Sequence, residues 1–226
     1  MDRAGAVERV EEFVETVEST TMPVPIREIW VYGDVALGLD PVERLDIYVT
    51  KDILLGDEST TDTTESGDTD EPGGTELDAL ENVDGIGSVV KASWATEFPD
   101  HVRTRQNGYV APERCLAAQL LEEGEPIHLE VCNASFDDNV TQRLAGAQAR
   151  DAYEELLDPR GVCLWIDGQR SEDAFEKLRE GDLVFPTLAG ALEMMGMEDP
   201  EATDAADQLK AYQESRSGTS VRGDVV

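Results

Sequence analysis

The sequence predicts an α/β fold in which a small mixed sheet is flanked by helices, with additional C-terminal helices on the same core. Three observations carry that expectation. Runs at residues 29–32 (IWVY) and 45–49 (LDIYV) are β-branched and aromatic and read as strands. Residues 2–19 and 111–122 place apolar side chains at three- and four-residue spacings, the period of an amphipathic helix. A length of 226 residues with 40% apolar content is enough to bury a proper core.

In order along the chain, Ala6, Val7, Val10, Phe13, Val14 and Val17 form one helical stripe opposite a Glu-rich face. Met22-Pro23-Val24-Pro25 stops that helix, because proline has no amide proton and restricts the residue before it. Two strands then flank a turn holding Gly33, Asp34, Gly38 and Asp40-Pro41. Residues 56–84 hold no Lys or Arg and few large apolar side chains, so an acidic disordered insertion is expected there. Residues 86–94 (IGSVVKASW) read as a strand and 96–107 as a polar loop. In the 111–122 helix Pro112 sits at the first position, Cys115, Leu116 and Leu120 face inward, and Gly124 follows the end.

Residues 127–132 (IHLEVC) alternate as a strand does, so His128 and Glu130 share a face. A long helix is expected over 136–157, then a short strand at 161–166 (GVCLWI). Ser171 is placed to cap a helix at 172–179 whose early acids suit its positive end and which Gly181 stops. Further helices are expected over 185–197 and 200–215, and residues 216–226 should fray. The domain division that follows is one α/β domain made of 1–55 and 85–200, the 56–84 insertion, and a polar helix with a frayed tail at 201–226.

The charge balance is extreme. Against 50 acidic residues stand 18 basic ones, a net charge of −32, and the only lysines are Lys51, Lys91, Lys177 and Lys210. This composition resembles that of proteins from salt-loving archaea, where concentrated salt screens the self-repulsion. It argues against broad binding to nucleic acid or anionic lipid, both polyanions. Cys115, Cys132 and Cys163 form no CxxC pair, so neither a disulfide framework nor a zinc knuckle is indicated. No run is apolar enough to span a bilayer, and a soluble, cytoplasmic protein is expected.

The order helix, strand, glycine turn, acid-bearing strand, helix, acid-bearing strand resembles the nucleotidyltransferase superfamily. The residues that carry the resemblance are Tyr32-Gly33-Asp34 and Leu37-Gly38 as the turn, Asp46 within LDIYV, and Glu130 within LEV. The whole chain also resembles uncharacterised haloarchaeal proteins of unknown function. The nucleotidyltransferase resemblance implies catalytic roles for Asp46 and Glu130, nucleotide contacts at Gly33, Asp34 and Gly38, and a magnesium or manganese ion with a nucleoside triphosphate. Acids two apart on one strand point the same way and can share metals. Glycine lets backbone amides approach phosphates closely.

This chain departs from the pattern. The partner acid of Asp46 is replaced by Arg44 or Tyr48, and the small residue after the glycine is Asp34. A substitute metal set of Asp34, Asp46 and Glu130 is one expectation, and an eroded site acting as a binding or regulatory module is the leading one. A third is a structural module that meets an unidentified protein partner through apolar C-terminal helices. No oligomeric state is assigned. His101, Arg103 and Arg105 are the densest positive cluster, read chiefly as neutralising nearby acids and otherwise as an anion clasp. Met194, Met195 and Met197 read as core filler, and His128 as a satisfied histidine rather than a general base. Gly33 and Gly38 lack the Lys and Ser/Thr of a P-loop.

Overall fold

The computed structural model describes residues 1–54, 83–216 and 218–224. Its elements are α1 (Arg3–Ser19), β1 (Ile26–Tyr32), β2 (Leu45–Lys51), α2 (Ala92–Glu97), a 3-10 turn at Pro99–His101, α3 (Pro112–Leu120), β3 (Ile127–Cys132) and α4 (Phe136–Arg150). There follow β4 (Gly161–Ile166), β5 (Gln169–Arg170), α5 (Glu172–Glu180), α6 (Leu188–Met194), α7 (Asp199–Glu214) and β6 (Ser220–Gly223). The fold is mixed α/β, as the sequence predicts. Its single six-stranded sheet runs β5-β4-β1-β2-β3-β6. β1 is antiparallel to β2 and β4, and β4 to β5, whereas β3 runs parallel to both of its neighbours, β2 and β6.

The period of two along each strand sorts side chains between two different environments. Ile29, Val31, Ile47, Val49, Leu129 and Val131 enter the main core, where Val10 and Phe13 of α1, Leu116 of α3, and Phe175 and Leu178 of α5 meet them. The opposite face carries Tyr32, Tyr48 and Cys132, which pack on Phe136 and Val140 of α4. Beyond α4, Leu144 and Ala147 join Leu192, Met197, Ala202, Ala205 and Leu209 in a cluster built by α6 and α7. Met197 is buried there, Met195 packs at its margin, and Met194 is exposed.

Local signals set the helix ends. Asp2 accepts from the amide of Gly5 and caps α1, Ser171 accepts from Ala174 and caps α5, and Gly181 closes α5 with φ of 73°. The long helix expected over 136–157 ends earlier, at Arg150, where Asp151 turns left-handed with φ of 52°. Residues 152–158 then fold back so that Tyr153, Leu156 and Leu157 are buried without extending the helix.

Two further expectations are corrected. The 86–94 stretch is not a strand: Gly85 and Gly87 take positive φ, two isolated bridges tie the turn, and Trp94 belongs to α2. The tail does not fray at 220–223, because β6 adds to the edge of β3. The acidic insertion expected at 56–84 lies outside the described residues except for Val83, which packs on the main core, and Asp84, which bridges to Tyr109.

Candidate functional site

The face of the sheet turned toward α4 holds the candidate residues. In the β2–β3 register Asp46 lies opposite His128, and Tyr48 lies opposite Glu130. Asp46, Tyr48, His128 and Glu130 are therefore neighbours on one face, and all are buried. The turn after β1 brings Gly33 against Asp46, and a β-carbon on Gly33, whose φ is 67°, would lie 2.6 Å from Asp46 Oδ2. Only glycine combines that φ with so close an approach. The glycine turn and the strand acid are thus in contact.

Each carboxylate, however, is already engaged. Arg44 donates to Asp46 Oδ1 through Nε at 2.8 Å and Nη2 at 2.6 Å. Burial is the larger influence on Asp46 and outweighs that attraction, so its carboxyl is pushed up to about 6. Glu130 is gripped by both Nη groups of Arg143, Nη1 at 3.0 Å, and contacts His128 Nε2 at 3.0 Å. Burial alone would raise Glu130, but the hydrogen bonds from His128 and Arg143 reverse that and hold it at about 2.

Helix α4 explains why Arg143 reaches this point. Phe136, Asn139, Val140 and Arg143 recur at the spacing of one helical face. Phe136 anchors that face, stacking on Trp30 at a centroid distance of 4.7 Å and meeting Tyr48 edge-on at 5.4 Å. One turn further on, Asn139 donates to the Tyr48 hydroxyl at 2.8 Å and accepts from Arg143 Nε at 3.0 Å. Tyr48 also donates to the Ala134 carbonyl at 2.8 Å. The position expected to hold a second acid is therefore a fixed structural hydroxyl, and burial raises its pKa well above the ordinary range, so it keeps its proton.

Asp34 turns elsewhere. Its Oδ2 accepts from the Glu43 amide at 3.0 Å and its carbonyl from Leu39, so it staples the β1–β2 turn. The amides of Leu37 and Gly38 are likewise donated within the turn, to Gly33 and Val35. Among the described residues no group of three or more His, Cys, Asp or Glu is gathered to hold a metal ion. The expected set of Asp34, Asp46 and Glu130 is accordingly not assembled, because Asp34 serves the turn and the other two face guanidinium groups. Beside the turn lies an open cavity of about 690 Å³ whose wall includes Gly33, Asp34, Asp46, Pro126, Lys210 and Arg216.

Three residues that the sequence did not single out complete the face. Ser220 of β6 places Oγ 2.7 Å from His128 Nδ1, Arg222 lies near Glu155, and Arg216 stacks on Tyr212 at 4.5 Å. Arg143 was legible only as one residue of a helix. Its spacing of seven from Phe136 was the available signal. In the other basic cluster only Arg105 balances an acid, Glu113; Arg103 donates to the carbonyls of Asp100 and Val102, and His101 stacks on Phe98.

A family model matches residues 2–226, which is nearly the whole chain. The chain belongs to DUF7095, a family of unknown function. No curated protein and no solved structure matched it. In this DUF7095 member no helix among the described residues is long and apolar enough to cross a membrane.

Proposed function

We propose that this DUF7095 chain is a nucleotidyltransferase-like domain whose catalytic site is degenerate, working as a binding or regulatory module in the cytoplasm of a halophile. The order of elements supports the kinship: α1, β1, the Gly33 turn, β2 with Asp46, helices, and β3 with Glu130. On this reading residues 1–55 and 85–200 make up one domain and 201–226 a polar helix with a tail, and the joining of β6 to the sheet supports counting that tail with the same domain. The observation that carries degeneracy is the double capture of the acids, Asp46 by Arg44 and Glu130 by Arg143. A carboxylate committed to a guanidinium has to exchange that partner before it can ligate a divalent ion. The cavity beside Gly33 is of the size small-molecule sites usually have, about 300–1,000 Å³, which supports retained binding.

The test is calorimetric titration of ATP and of GTP with magnesium, in concentrated salt, for wild type and Asp46→Asn. Binding without turnover is the expected result. No heat with either nucleotide rejects the kinship reading as a functional one. Incorporation of labelled nucleotide that is lost in Asp46→Asn would replace it with a working metal-dependent nucleotidyltransferase.

A further inference from the structure

The parallel register of β3 and β6 sets Ser220 opposite His128, and the period of two sets Glu130 next to it on the same face. Ser220 Oγ stands 2.7 Å from His128 Nδ1, and His128 Nε2 stands 3.0 Å from Glu130 Oε1. Glu130 is held as a carboxylate, which only accepts hydrogen bonds. Nε2 of a neutral imidazole therefore carries the proton, Nδ1 is the acceptor, and the Ser220 hydroxyl donates to it. A hydroxyl polarised by an imidazole that is in turn oriented by a carboxylate is the arrangement of an activated nucleophile.

We propose that Ser220, His128 and Glu130 form a nucleophilic relay that cleaves small carboxylic esters approaching from the solvent side of Ser220. Two further observations distinguish the relay from a buried histidine that is merely satisfied. Ser220 is half-buried whereas His128 and Glu130 are buried, so the reactive oxygen lies at the outer end of the chain of hydrogen bonds. Arg44 shares a polar recess with His128 and Glu130, and its Nη1 is buried without an acceptor. That nitrogen is an uncommitted donor for negative charge developing on a carbonyl oxygen.

In the reaction Ser220 Oγ bonds to the ester carbonyl carbon while its proton passes to His128 Nδ1, and the carbonyl electron pair moves onto oxygen near Arg44. Collapse breaks the bond to the alkoxy oxygen, which leaves as the alcohol with the proton from His128. Water then gives a proton to the same nitrogen and attacks the acyl carbon. Release of the acid returns that proton to Ser220. Ser220 and His128 are the catalytic residues, and Glu130 is a positioning residue. The relay does not depend on the nucleotide reading.

The full chain, in concentrated potassium chloride, is treated with an alkyl fluorophosphonate and mapped by peptide mass spectrometry. Wild type should gain one adduct, on Ser220, and Ser220→Ala none. His128→Gln should label about 10³-fold more slowly, the scale of a lost general base. Ser220→Cys, which keeps the backbone and nearly the volume, covers the case in which His128→Gln does not fold. Its introduced thiol should react with iodoacetamide at pH 6 at least about tenfold faster than an ordinary thiol, as a histidine-paired thiolate does. Absence of an adduct on wild type, an adduct elsewhere, labelling unchanged in His128→Gln, or ordinary thiol reactivity in Ser220→Cys would each overturn the relay.

Discussion

The α-carbon of Gly33 lies against the carboxylate of Asp46, so close that a β-carbon there would stand 2.6 Å from Oδ2. Gly38, at the other end of the same turn and with a φ of similar sign, has its nearest such contact at 3.9 Å. Comparing Gly33→Ala with Gly38→Ala in urea unfolding at fixed salt separates the two effects. Both lose about 1–3 kcal/mol from left-handed strain, and only Gly33→Ala loses more, because a buried ion pair has to shift.

Glu130 and Arg143 form a buried pair. Arg143→Met leaves the carboxylate charged and short of a partner, which costs about 3–5 kcal/mol. Removing both charges, in Arg143→Met with Glu130→Leu, should restore much of that loss. A double mutant no more stable than Arg143→Met would show that the pair is not the source of the effect.

The two acids respond oppositely to pH. Asp46 is raised from an ordinary 3.8 to about 6, so the folded state takes up its proton first. Its stabilising contribution is complete below about 3.8 and is lost as pH rises through about 6. Glu130 is lowered from 4.5 to about 2, so its contribution is complete above about 4.5 and is lost as pH falls through about 2. Carbon-13 carboxyl titration should therefore find midpoints on either side of the ordinary range, and Glu130→Gln should converge on wild-type stability in acid.

The strand β6 is predicted to be held, not merely laid on. Ser220 contacts His128, and Asp224 accepts from Lys51 Nζ at 3.1 Å and from the Asn133 amide at 3.0 Å. Amide hydrogen exchange within the β3–β6 ladder should be slow. Truncation after Glu214 should speed exchange in β3 more than in β1, which keeps both neighbours.

Salt is the remaining control. With a net charge of −32, self-repulsion is screened over about 3 Å at 1 M salt and over about 30 Å at 0.01 M. Circular dichroism should stay native in molar potassium chloride and loosen on dilution. A native spectrum in dilute buffer would show that the acidic surface does not set the stability.

Much of the fold was legible because it rests on local periodicity. The α1 stripe of Val7, Val10, Phe13, Val14 and Val17, the alternation of β3, and the Ser171 and Gly181 signals of α5 all reappear as read. The 86–94 stretch misled because Val89 and Val90 look strand-like, while Gly85 and Gly87 at positive φ make a turn of the segment. Composition alone determined the acidic surface, and residue types alone placed Asp46 and Glu130 on strands beside a glycine turn.

Tertiary structure decided what those acids do. Arg44 lies two residues before Asp46, just ahead of β2, so that pairing was readable in advance. Arg143 is 13 residues from Glu130 and Ser220 is 92 from His128. Contacts of that kind depend on where α4 crosses the sheet and on which edge the chain's last strand joins. Burial then fixes the charge states, because removal from water raises Asp46 while two donors lower Glu130. Neither packing nor desolvation leaves a periodic mark in a sequence.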